Sequence, residues 1–97
     1  MIPNKYAVYI LANKRNTTLY VGRANNLARR IKQHKGQYKG FTAKYNIYKL
    51  VYYEFCEDRK TATKREKQIK NLLRKKKEAL ILKFNSNWRD LYPEVLP

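Results

Sequence analysis

The chain has 97 residues, room for one domain (1–97) with one modest core. Hydrophobic residues make up 43%, enough to fold, so the high polarity does not by itself mean disorder, yet 23 Lys and Arg against 7 Asp and Glu leave a formal net charge of +16. A small folded domain with that field draws polyanions, with nucleic acid ahead of a membrane surface because no long lipid-seeking helix stands out.

The opening stretch MIPNKYAVYIL lacks a charged leader with a long apolar run, and no segment approaches the ~20 apolar residues of a membrane span. Lys5 to Leu11 is rich in β-branched and aromatic residues with apolar side chains on both faces, which predicts a well-covered strand. Ala12 to Asn16 turns the chain, and Thr17 to Val21 completes a hairpin that Gly22 ends. Asn25 or Asn26 can cap a helix running to about Gly36, with Leu27 and Ile31 inward.

Residues 36–48 read as an exposed loop, in which Gln37, Tyr38 and Phe41 could meet a groove or unstacked base, or Phe41 the core. Lys49 to Phe55 is a third strand. Cys56 is the single cysteine, so no internal disulfide is possible and a reducing, cytoplasmic setting fits. From Arg59 the pattern turns helical and basic, with ten Lys or Arg between Arg59 and Lys77. That helix should break near Leu73–Lys75, a third should cover Lys76 to Phe84, and a Trp-containing tail follows. The order strand, strand, helix, strand, helix, helix implies an α+β fold, a small three-stranded antiparallel sheet flanked by helices.

Glu66 is the most informative residue for chemistry. At 100° per residue it shares a stripe with Ala62, Ile69 and Leu73 that should face the core. A carboxylate there needs compensation, from a salt bridge to a basic neighbour or from a hard cation such as Mg²⁺ completed by phosphate and water. Tyr9 and Tyr20 lie on the hairpin's two strands, near the arginine of the next helix, Arg30. Either tyrosine alone could simply pack, but an arginine lowers the cost of a phenolate and can hold a phosphate oxygen. His34, one turn beyond Arg30, could serve as an acid–base group, a phosphate donor, or only a partner of the helix dipole.

Taken together, Ala7-Val8-Tyr9, Tyr20-Val21-Gly22, Arg30, His34 and Glu66 within KREKQIK resemble the GIY-YIG endonuclease superfamily, especially its small stand-alone bacterial branch. The resemblance covers Tyr6 to about Leu91, with Ala7 in place of the glycine of the name motif. It extends to Arg23, a basic residue just after Tyr-Val-Gly, and to Asn85 in FNSNWRDL, with Asn87 as the alternative position. The resemblance implies a metal-dependent endonuclease: Glu66 ligating Mg²⁺ or Mn²⁺, Arg30 on a non-bridging oxygen, one of Tyr9 and Tyr20 activating water while the other positions it or the phosphate, and His34 assisting the proton transfer or contacting the phosphate. Lys64, Lys67, Lys70 and Arg74 would follow the DNA backbone, with Arg23 and Asn85 beside them. The substrate would be branched or duplex DNA, cut by structure or with weak specificity in repair or recombination, by a monomer or weak homodimer with a possible protein partner. The alternatives are a non-catalytic DNA- or RNA-binding module, in which the tyrosines stack bases, and a ribosome- or chaperone-associated adaptor.

Overall fold

The computed structural model describes residues 6–35 and 47–96. The expected loop residues Gln37, Tyr38 and Phe41 lie outside them. Three strands, β1 (Tyr6–Asn13), β2 (Leu19–Ala24) and β3 (Ile47–Cys56), form one antiparallel sheet in the order β2-β1-β3. β1 is central, with a partner strand on either edge and cover on both faces, which is why Ala7 to Ala12 is an unbroken apolar run. The sheet is thus the expected α+β core, with strand ends displaced by one to three residues.

One displacement matters. Gly22 does not end the second strand; β2 runs through it to Ala24, with Gly22 directly opposite Tyr9. The β1–β2 connection is closed by Asn13, whose Oδ1 accepts from the backbone of Thr17 and Thr18 at 2.8 and 3.1 Å. Asn16 in that turn has φ 60°, a left-handed conformation that asparagine tolerates better than most residues.

The alternation of β1 splits the core into two layers. Val8, Ile10 and Ala12 face α2 (Arg59–Lys70) and α3 (Arg74–Phe84), meeting Ala62, Ile69 and Ile81. Ala7, Tyr9 and Leu11 face α1 (Leu27–Lys35), meeting Leu27 and Ile31, with Leu91 of the tail closing that layer before the short α4 (Tyr92–Val95). Asn26 caps α1, its Oδ1 accepting from Arg29 N at 3.1 Å, and Asp58 caps α2 by accepting from Thr61 N at 2.8 Å.

The second helix stops at Lys70, and the third starts at Arg74 rather than Lys76. The helical stripe therefore ends before Leu73, which is 76% exposed instead of facing the core. Among the described residues no helix is long and apolar enough to cross a membrane.

Candidate active site at the β2 edge

Register decides what gathers here. Tyr9 pairs with Gly22 and Leu11 with Tyr20, so the two tyrosines point to the same face of the sheet, the one that α1 covers. Their ring centroids lie 6.4 Å apart. Tyr9 is fully buried, and its ring passes over Gly22, where a Cβ would stand 2.6 Å from the Tyr9 Cζ and Oη and 3.0 Å from Tyr20 Cε2. Only hydrogen fits at that position, so Gly22 serves the tyrosines rather than a turn. Sequence reasoning missed this role, although Tyr20-Val21-Gly22 belonged to the recognised signature.

From α1, His34 is buried against the pair. Its Nε2 is 3.1 Å from the Tyr9 hydroxyl, and its ring centroid is 6.0 Å from Tyr9 and 5.7 Å from Tyr20, edge-on to both. Arg30, one turn earlier on the same helix face, sits beside the Tyr9 hydroxyl. Burial raises the Tyr9 pKa well above the ordinary tyrosine value, and Tyr20 raises it further, while Arg30 opposes both. Burial lowers the His34 pKa, and the Arg30 charge lowers it further, which keeps the imidazole neutral. A neutral imidazole against an un-ionised phenol forms a proton-accepting pair, with Nε2 accepting from Tyr9 when Nδ1 carries the ring proton.

Glu66 approaches from the other side of β2. It stands on α2, which packs on the opposite face of the sheet together with Arg23, and its charge is still felt at Tyr9. The structure gives it the salt-bridge environment foreseen as one alternative. Arg23 Nε lies 3.1 Å from Oε1 and Lys70 Nζ 3.2 Å from Oε2, with the carboxylate side chain 17% exposed. Among the described residues no group of three or more His, Cys, Asp or Glu could hold a metal. A single carboxylate is the kind of donor that Mg²⁺ and Mn²⁺ take, hard cations that keep several waters and complete their shell with other oxygens.

The other expected contacts divide. Lys67 is exposed on α2, and Lys70 is half exposed beyond its pairing with Glu66. Lys64 is exposed on a different side of the helix, lining a cleft with Glu54 and Arg65. Arg74 is engaged within the fold: it donates to the Asn16 and Thr17 carbonyls at 2.6 and 2.8 Å and pairs with Glu78, bracing the hairpin against α3. Its expected place on a DNA-tracking face gives way to that brace.

Asn85 also departs from expectation. It is 6% exposed at the far side of the sheet, donating to the carbonyls of Val51 (3.2 Å) and Arg89 (2.8 Å) while accepting from Arg89 N (3.3 Å). Its amide is a clasp between the tail and β3, and nothing brings it to the tyrosine cluster. Asn87 is exposed in the adjoining turn. Asn85→Ala should therefore cost about 1–3 kcal/mol of stability by leaving buried carbonyls unpaired, read as a lower denaturation midpoint, with nucleic-acid affinity essentially unchanged.

Comparison with known proteins shows the family and the fold. Residues 5–79 match the family profile described as GIY-YIG catalytic domain. The UPF0213 protein of Clostridium perfringens is 46% identical over 78 residues, covering 76% of this chain and 80% of that protein. The UPF0213 protein of Desulfotalea psychrophila is 39% identical over 77 residues, covering 77% and 70%. In three dimensions the chain is similar to the solution NMR structure of a UPF0213 protein from Bacillus halodurans, with a TM-score of 0.51 and 32% identity over 78% of this chain and 81% of that one. A matching profile over most of the chain and relatives that share both sequence and fold place it: the chain belongs to the GIY-YIG family, in its UPF0213 group.

Proposed function

We propose that this protein is a divalent-metal-dependent endonuclease that hydrolyses DNA phosphodiester bonds, selecting its substrate by structure or with weak sequence preference. The observation that carries the reading is the buried hydrogen bond between Tyr9 and a neutral His34, with Arg30 beside it and Glu66 across a single edge strand. Family membership supports it as well. Processing of branched DNA in repair or recombination, in the cytoplasm, is the setting that fits such a substrate.

The chemistry follows from the pair. The Tyr9 hydroxyl donates to His34 Nε2 and accepts from the attacking water. As the water's oxygen bonds to phosphorus, its proton passes to Tyr9 and the Tyr9 proton to His34, which becomes imidazolium. The bond from phosphorus to the leaving oxygen breaks, and solvent protonates that oxygen. Arg30 binds a non-bridging oxygen and stabilises the added negative charge, while Tyr20 holds the Tyr9 and His34 rings in place. Glu66 is the residue that would hold Mg²⁺ or Mn²⁺, and the cation supplies charge stabilisation at the scissile phosphate and leaving group. Arg23 and Lys70, which flank Glu66, and the exposed Lys67 would supply cations to the approaching backbone.

Glu66→Ala tests this on supercoiled plasmid and branched DNA with Mg²⁺, Mn²⁺ or EDTA. The expected result is metal-dependent nicking that falls at least about 10²-fold in the variant, with DNA affinity retained or raised because a negative charge has left the phosphate path. Salt-sensitive binding by wild type with no cutting under any metal would replace the nuclease by a binding module. In that module the Arg23–Glu66–Lys70 cluster would be structural.

A further inference from the structure

The outer side of β3 differs from the rest of the molecule. β3 is the sheet edge opposite the candidate site, since the strand order is β2-β1-β3. The tail covers part of it: Leu91 N donates to Leu50 O, Asp90 Oδ1 accepts from Leu50 N, and Asn85 reaches Val51 O. Beyond those residues an aromatic run wraps the edge. Tyr53 lies 5.5 Å from Phe55 and 5.2 Å from Phe84, and Phe84 lies 5.2 Å from Tyr52, all edge-to-face. Phe55 and Phe84 are nevertheless 45% and 48% exposed. Two exposed phenylalanines joined by a half-buried tyrosine make a contiguous patch, unlike the scattered apolar residues of an ordinary surface.

Charge says what can cover it. The chain carries 23 basic and 7 acidic side chains, so two copies repel over most of their surfaces. The clefts flanking the aromatic run are the exception. Their charged lining residues are Glu54, Glu57, Lys64 and Arg65 on one side and Arg89 and Glu94 on the other: three acids and three bases, net zero. Arg65 Nε is paired with Glu54 at 2.5 Å, and Arg89 is paired with Glu94. An apolar centre with a neutral rim of both signs has the composition of a protein interface, and a polyanion gains little there.

We propose that two copies of this chain associate through the outer edge of β3, with Phe55 and Phe84 of each packed about a twofold axis. An isologous contact suits a rim that carries both signs, because each acid can face a base of the other copy. It also leaves both β2 edges, with their tyrosine, arginine and glutamate groups, open on opposite sides of the pair. This inference stands on geometry and charge at β3 and does not depend on the nuclease reading.

Sedimentation velocity across low to high micromolar concentration tests it. Wild type should shift from monomer to a species of twice the mass. Phe55→Lys should weaken association on the order of 10–100-fold, the loss typical of a central aromatic at an interface. Glu57→Lys, an exposed change that turns the neutral rim to net +2, should weaken it too, with unchanged circular dichroism in both variants. Added salt should tighten the wild-type dimer by screening the +16 chains, the opposite of its effect on DNA binding. A single monomeric mass at every concentration would overturn the proposal. So would a dimer indifferent to both substitutions, or a patch whose Phe55→Ala variant loses only single-stranded oligonucleotide binding, the mark of a base-stacking platform.

Discussion

Tyr9→Phe should reduce strand cleavage by about 10²–10⁴-fold while DNA affinity stays within about twofold, because the ring is kept and only the proton path is cut. The hydroxyl is the sole atom removed; it lies 3.1 Å from His34 Nε2, with Arg30 beside it. The pH dependence of kcat/KM separates this relay from a phenolate base. In the relay the active form has neutral His34, whose pKa lies below the ordinary 6.5 because burial and the Arg30 charge both oppose protonation. The rate should therefore rise with pH through a midpoint below 6.5 and then stay flat through the mildly alkaline range. His34→Ala should remove that acidic limb as well as most of the rate. If Tyr9 worked as a free phenolate, the rate would instead climb throughout the alkaline range, because burial and Tyr20 raise its pKa far above neutrality. A profile of that form would sink the relay.

Gly22→Ala is the second large effect, and it acts on folding and site together. The new methyl would stand 2.6 Å from the Tyr9 Cζ and Oη, a distance that carbon atoms cannot hold. Tyr9 is buried between the sheet and α1, so either its ring or the edge strand must move. Overpacking of this kind costs about 1–3 kcal/mol, and each kcal/mol lowers Tm by roughly 4–8 °C in a domain of this size. Because the clash falls on the hydroxyl end of Tyr9, the hydrogen bond to His34 should be lost even in the fraction that folds. The expected result is a lowered Tm together with cleavage reduced to near the Tyr9→Phe level. A variant with wild-type Tm and activity would show that the strand shifts freely and that Gly22 has no part in the site.

Leu73 and Gly22 show where local reading fails. The 3.6-residue period correctly placed Ala62 and Ile69 inward, but it carried on through Leu73 because the sequence contains no glycine or proline to stop it. The helix ends at Lys70, and the next one begins with Arg74 tied to the carbonyls of Asn16 and Thr17, more than fifty residues away in the chain. No local signal announces such a partner. Glycine's usual meaning as a strand terminator likewise misplaced the end of β2, since what requires glycine at this position is the Tyr9 ring on the neighbouring strand.

Asn85 fails for the opposite reason. The resemblance of FNSNWRDL to the family pattern set Asn85 beside the DNA backbone, but a short tail crossing β3 needs donors for the carbonyls it buries, and Asn85 supplies them. Burial, not identity, decided its role.

By itself the sequence determined the α+β element order, the apolar cover on both faces of β1, the basic field of the chain, and the GIY-YIG family. Those properties are local or additive, being periodicity, composition and spacing along the chain. The tertiary structure alone decided that the Tyr9 hydroxyl and His34 Nε2 meet at 3.1 Å, that Glu66 reaches the same edge strand from the opposite face while held by Arg23 and Lys70, and that neutral charge and bare aromatic rings coincide on β3. Each of these depends on strand register and on which residues lose contact with water, and both are settled only when distant segments pack.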